Sequence, residues 1–164
     1  ELAIEKCEVK VCFQDLRISG AAPQPPFDDS PNGRAGWGIL WPGEDSTDLE
    51  TYAQAVKAGA SPRLDSLIVL DTTWHRAKAM YYRIPWLQTL PTYSISPTRK
   101  SNYRIRKQPN ERCLSTAECV SEALIALEGE ESGAGRLVEA FDAMIDDQLD
   151  AEKSAFERGA RERM

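Results

Sequence analysis

Leu67-Ile68-Val69-Leu70-Asp71-Thr72-Thr73-Trp74 is the stretch on which the fold turns. Four apolar residues in an unbroken run predict a strand buried on both faces of a parallel sheet. The chain then becomes polar, and Trp74, Ala77, Tyr81 and Ile84 recur near one face of the helix that follows, with Pro85 closing it. Ligands of open parallel sheets bind beyond the carboxyl ends of the strands, which puts Asp71 where chemistry concentrates. A structural role competes with this reading: Asp71 would cap a helix beginning near Thr73, and Trp74 would be core.

Working outward, the same strand-then-helix unit repeats. Gly38-Ile39-Leu40-Trp41 reads as a strand ended by Pro42-Gly43, after which Ser46 is placed to cap a helix reaching about Lys57. Tyr93-Ser94-Ile95-Ser96 is a third strand candidate. Ser115 and Glu118 have capping-box spacing and announce a helix with Val120, Ala123, Leu124 and Leu127 on its apolar face. A last amphipathic helix carries Leu137, Phe141, Ile145 and Leu149, and beyond Ala151 the chain is charged enough to fray. Near the N-terminus, Val9, Val11 and Phe13 alternate as in a half-buried strand, and the prolines at 23, 25, 26 and 31 mark a loop through residues 20–36. Strands alternating with helices predict an α/β fold, a parallel-type sheet with flanking helices.

The 164 residues, 41% hydrophobic and 28% charged, fit a single soluble domain, with no apolar run long enough to span a bilayer. The N-terminus has no basic region followed by an apolar one, although a chain beginning at Glu1 leaves targeting segments unjudged. Cys7, Cys12, Cys113 and Cys119 match neither paired zinc spacings nor a dense disulfide scaffold, so reduced, buried thiols and no metal are expected. There is no glycine-rich phosphate loop and no nucleophile elbow.

A net charge of −6 argues against a nucleic-acid partner, but the average hides an asymmetry. Residues 72–110 contain no Asp or Glu, yet hold Arg76, Lys78, Arg83, Arg99, Lys100, Arg104, Arg106 and Lys107. These cations are either an ordinary solvated surface or a basic face for RNA. Interleaved Tyr81, Tyr82, Tyr93 and Tyr103 favour RNA, because aromatic faces stack unpaired bases while cations hold phosphates.

The residues also carry a family resemblance. Asp71-Thr72-Thr73-Trp74 after an apolar strand, followed by Ala77-Lys78, resembles the Asp-x-Thr-Trp signature of the DTW-domain family. Ser101-Asn102-Tyr103-Arg104-Ile105-Arg106 is similar to the family's Ser-x-Tyr-x-x-Arg segment, and Cys113-Leu114-Ser115-Thr116-Ala117-Glu118 to its Ser-Thr-x-Glu segment. Trp41-Pro42-Gly43 resembles the Tyr-Pro-Gly stretch that precedes the signature. The matches run in order over roughly residues 36–150, a core flanked by a divergent or incomplete N-terminal part, 1–35, and a charged tail, 151–164, within a single catalytic domain.

This resemblance implies a SPOUT-like trefoil knot in the C-terminal half and a reaction on tRNA. The 3-amino-3-carboxypropyl group of S-adenosylmethionine passes to N3 of a uridine, and methylthioadenosine leaves. It assigns catalysis to Asp71, Thr73 and Trp74, with Asp71 accepting the N3 proton or orienting the base. It assigns donor binding to Leu70, Asp71, Ser96, Pro97, Ser101, Tyr103, Arg106, Thr116 and Glu118, although the guanidinium groups of Arg104 and Arg106 suit either the donor carboxylate or an RNA phosphate and the sequence does not decide between them. The RNA contacts expected with it are Arg76, Lys78, Arg99, Lys100, Arg104 and Lys107. A soluble, intracellular location is expected, cytoplasmic or nuclear, with an organelle left open. The family's cysteine-rich zinc segment and its His-Pro-x-Glu segment have no counterpart before Gly36. Two other classes remain open from the sequence: a knotted RNA methyltransferase, and a non-catalytic RNA-binding module.

Overall fold

The computed structural model describes residues 23–28, 33–97, 99–105 and 113–161, with side chains to Arg158. The expected strand at Val9, Val11 and Phe13, and Cys7, Cys12, Arg106 and Lys107, lie outside the described residues. The described residues form two compact units, a sheet unit within Glu5–Ser96 and a helical unit within Pro97–Met164.

Among the described residues the sheet unit holds four parallel strands: β1 (Trp37–Leu40), β2 (Thr47–Asp48), β3 (Ser66–Ile68) and β4 (Thr92–Ser94), in the order β2-β4-β1-β3. The α/β, parallel-sheet expectation therefore holds for this unit. The strand expected at residues 67–70 to be buried on both faces runs from Ser66 to Ile68 and lies at the edge of the described sheet, pairing only with β1 among the described strands. Its residues are half-buried, because among the described residues one of its long sides has no neighbouring strand. The central places go to β1 and β4, where Ile39 is fully buried and Tyr93 nearly so.

Helix α1 (Leu49–Lys57) is capped by Asp48, whose carboxylate accepts from the backbone N–H of Glu50 at 3.1 Å and of Thr51 at 3.2 Å. Ser46, expected in that role, closes the preceding turn instead, its hydroxyl donating to the Gly43 carbonyl at 2.7 Å. A carboxylate directly before the helix satisfies two free N–H groups, whereas Ser46 lies too early to reach them. The core gathers Phe27, Ile39, Ile84, Leu87 and Leu90, flanked by Trp37, Trp41, Ile68, Leu70, Met80, Tyr81 and Trp86. Trp86 donates its indole N–H to the Pro23 carbonyl at 2.7 Å, and Phe27 packs against Trp37 and Trp86, so the proline-rich segment is tied to this core.

Helix α2 (Trp74–Arg83) ends at Ile84, and Pro85 opens a short 3-10 turn, Pro85–Thr89, as the proline predicts. Ala77 and Ile84 are buried and Tyr81 half-buried, but Trp74 is 45% exposed and is not core.

In the helical unit, α3 (Thr116–Glu128) and α4 (Gly135–Arg161) are joined through a 3-10 turn with glycines of positive φ at 129 and 133. The buried Ser121 hydroxyl donates to the Ala134 carbonyl at 2.8 Å, tying α3 to the start of α4. Ile145 is fully buried, and Leu137, Phe141 and Leu149 lie beside it half-buried on the predicted face. Fraying beyond Ala151 is not seen: α4 continues to Arg161, its exposed surface carrying pairs such as Lys153 with Asp150 at 3.2 Å. Such local pairs and the strong helix formers of this segment sustain a solvated helix. No helix among the described residues is long and apolar enough to cross a membrane.

Candidate functional site

In the sheet unit, the carboxyl ends of β1, β3 and β4 lead into Trp41-Pro42, Val69-Leu70-Asp71 and Ile95-Ser96. Leu70 packs half-buried against the core, and one residue later Asp71 is exposed. No hydrogen bond or ion pair engages the Asp71 carboxylate among the described residues. It does not cap α2 either: Thr73 takes that position through its backbone, with no side-chain cap, and its carbonyl accepts from the Ala77 N–H at 2.8 Å. The structural role open to Asp71 from the sequence is therefore not the one it performs. Ser96, expected at the donor, donates its hydroxyl to Asp48 at 3.2 Å and so joins the end of β4 to the cap of α1.

Beside Asp71, the first turn of α2 opens a groove of about 400 Å³ lined by Trp41, Pro42, Trp74, His75, Lys78 and Tyr82. The wall is aromatic by construction. Trp41 stacks on Tyr81 with centroids 4.3 Å apart and planes within 9°, and Tyr81 meets Tyr82 edge-on at 5.4 Å. Trp41, Pro42 and His75 were not assigned to any site from the sequence, and Tyr82 only to a general aromatic set. The spacing of Trp74, Lys78 and Tyr82, four residues apart along one helix face, was the available signal.

The helical unit holds further residues expected at the site, gathered around Glu118. This residue is completely buried. Its carboxylate accepts from the Ser101 hydroxyl at 2.7 Å, the Asn102 N–H at 2.8 Å and the Ser115 N–H at 2.8 Å, while the Ser115 hydroxyl accepts from the Glu118 N–H at 3.3 Å. The capping box is complete, and the same carboxylate anchors the loop of residues 99–105 to α3. Burial by itself would raise the carboxyl. The donated hydrogen bonds from Ser115, Ser101 and Asn102 outweigh it and hold Glu118 below the ordinary glutamate range. A buried carboxylate with both oxygens engaged has no surface to offer a ligand. Thr116, first residue of α3, is half-buried beside it.

The loop is held to α4 as well. The Tyr103 and Phe141 rings lie 5.6 Å apart, and Arg104 pairs with Asp146. Arg99 lies 3.8 Å from each of Glu118, Glu122 and Asp142. Much of the charge of Arg99 and Arg104 is thus answered within their own unit. In the sheet unit, Arg76 and Lys78 are exposed, and among the described residues no carboxylate pairs with either. Lys100 is also exposed, Pro97 is half-buried in the helical unit, and Arg106 is outside the described residues.

Comparison with known proteins adds what geometry does not. A family model described as the DTW domain matches residues 16–149. The chain is 36% identical over 112 residues to tRNA-uridine aminocarboxypropyltransferase 2 of Drosophila melanogaster, a match covering 68% of this chain and 42% of that protein. It is 38% identical over 91 residues to the Mus musculus protein of the same name, covering 55% of this chain and 29% of the relative. With the Macaca fascicularis protein of that name the identity is 34% over 95 residues, covering 58% and 30%. The matched region thus spans less than half the length of each relative. No solved structure matches the chain.

Proposed function

Because the chain belongs to the DTW-domain family, we propose that it forms the catalytic part of a tRNA-modifying transferase, moving the 3-amino-3-carboxypropyl group of S-adenosylmethionine onto N3 of a uridine. The observation that carries this reading is the family match across residues 16–149, with relatives named for that reaction. A SPOUT-like trefoil knot in the C-terminal half belongs to the same proposal and rests on the family.

Of the two carboxylates expected at the donor, Asp71 and Glu118, one fits and the other does not. A sulfonium cation is favoured by a nearby carboxylate with no partner of its own, and among the described residues exposed Asp71 is of that kind. Glu118 is not, since its oxygens are committed to Ser101, Asn102 and Ser115. When bound, the donor supplies an already activated carbon: N3 bonds to the γ-carbon of its methionine portion, the carbon–sulfur bond breaks, and its electron pair leaves with methylthioadenosine.

Asp71 has two tasks on this reading. Its charge favours the cation before reaction, and its carboxylate accepts the N3 proton, because uracil N3 is a poor nucleophile while protonated. Thr73 and Trp74 shape the turn that presents Asp71. Within the helical unit, Glu118 and Phe141 hold the loop of Ser101 and Tyr103 in place, so Glu118 acts as a positioning residue for that loop. Arg76 and Lys78 supply charge for tRNA phosphates.

Incubation of the chain with tRNA and S-adenosylmethionine, followed by mass analysis of the nucleosides, tests the reading. Aminocarboxypropyl uridine is the expected product. A methylated nucleoside, or unmodified tRNA after an assay in which a full-length relative is active, overturns it.

A further inference from the structure

We propose that the groove on α2 is a stacking platform for unpaired bases of the RNA substrate, with Tyr82 as its outer aromatic and Lys78 as its phosphate contact. The inference rests on the tRNA reading above and adds where a single-stranded part of that RNA lies.

Three observations converge on it. Trp74, Lys78 and Tyr82 occupy positions i, i+4 and i+8 and therefore form one stripe about 12 Å long on α2. The order aromatic, cation, aromatic along that stripe repeats the order base, phosphate, base along a single strand. Trp74 and Tyr82 are 45% and 59% exposed, although Ala77 on the other side of the same helix and Ile84 at its C-cap are buried. Large rings left in solvent on a helix whose other face is well packed are an unusual investment for a surface.

The second observation is rigidity. The Trp41–Tyr81 stack and the edge contact between Tyr81 and Tyr82 hold the groove wall in place, so little ordering is required when a flat partner enters. The third is charge. Helix α2 contains Arg76, Lys78 and Arg83 and no acidic residue, and none of these cations pairs with a carboxylate among the described residues. An apolar protein partner would not require that charge, whereas a nucleic-acid strand uses both the rings and the cations.

The test uses the full chain and a labelled single-stranded oligouridylate, with binding followed by fluorescence anisotropy at fixed salt. Tyr82→Leu keeps an apolar side chain but removes the ring, and is expected to weaken binding by about fivefold or more, while Tyr82→Phe stays within about twofold of the parent. Lys78→Gln is expected to lower the slope of affinity against salt by about one, and Tyr82→Leu to leave that slope unchanged. Equal binding by Tyr82→Leu and the parent overturns the inference. So does displacement of the oligouridylate by saturating S-adenosylmethionine, which would mark the groove as donor space. Nucleoside analysis on the same preparations separates the two claims: product formed with Tyr82 irrelevant to binding sinks only the platform, whereas Tyr82-dependent binding without product sinks only the transferase.

Discussion

The Glu118 carboxylate accepts a 2.7 Å hydrogen bond from the Ser101 hydroxyl while it also caps α3 through Ser115, so one buried side chain joins a loop to a helix. A charge taken wholly out of water is tolerated only with such compensation. Glu118→Ala should therefore destabilise the chain by about 3–5 kcal/mol, measured by urea denaturation, because it strands the donors of Ser101, Asn102 and Ser115 together.

Acid should act through the same residue. The folded carboxyl sits below its ordinary value of 4.5, so the folded state takes up its proton less readily than the unfolded one. The stabilisation is fully present above that value and is lost as pH falls through the lower folded one. Glu118→Gln is expected to flatten the fall in unfolding free energy below about pH 4.5 relative to the parent. A parallel fall in both proteins would show that other carboxylates carry the acid response.

Asp71→Asn should reduce product formation by roughly 10²- to 10⁴-fold, the range for loss of a general base. Asp71 is exposed and makes no hydrogen bond among the described residues, so unfolding free energy should change by no more than about 0.5 kcal/mol. Turnover of modified tRNA at the parent rate would remove Asp71 from the chemistry.

Gly38 is required by its neighbour across the sheet. A Cβ on Gly38 would stand 2.4 Å from the Tyr93 ring, which is itself buried between β1 and α1 residues and meets Tyr52 edge-on at 4.9 Å. Gly38→Ala should cost about 1–3 kcal/mol by thermal or urea denaturation, and Tyr93→Leu in the same chain should recover part of it.

Cys119 should be slow to alkylate. Burial, reinforced by the charge of Glu118 and by Cys113 and Glu122, pushes its thiol up to about 11 from 9.0. Two units leave about a hundredfold less thiolate near neutral pH, so iodoacetamide labelling read by peptide mass should be slower than for a free thiol by about that factor. Labelling at the rate of free cysteine would show the site to be open.

Much of the fold is legible in the sequence. Strands near Gly38 and Leu67, the helix after Asp71, the capping box of Ser115 and Glu118 and the apolar face of α4 are local, and local spacing records them. What was misjudged depends on neighbours. The run at Leu67 reads as buried on both faces because all its residues are apolar, but burial depends on long-range pairing, and it is half-buried at the edge of the described sheet. Ser46 and Asp48 are both acceptable caps by type, and only the turn at Gly43 decides between them.

The sequence by itself determined the α/β class, the position of Asp71 at a strand end, the family and the acid-free stretch, because each is written in periodicity, spacing or composition. Only the tertiary structure decided which charged groups are spoken for. Asp71, Arg76 and Lys78 stand exposed, while Glu118 is consumed by three donors and Arg99 and Arg104 face acids from α3 and α4. Pairing between side chains far apart in the chain is set by packing, and residue identity alone does not carry it.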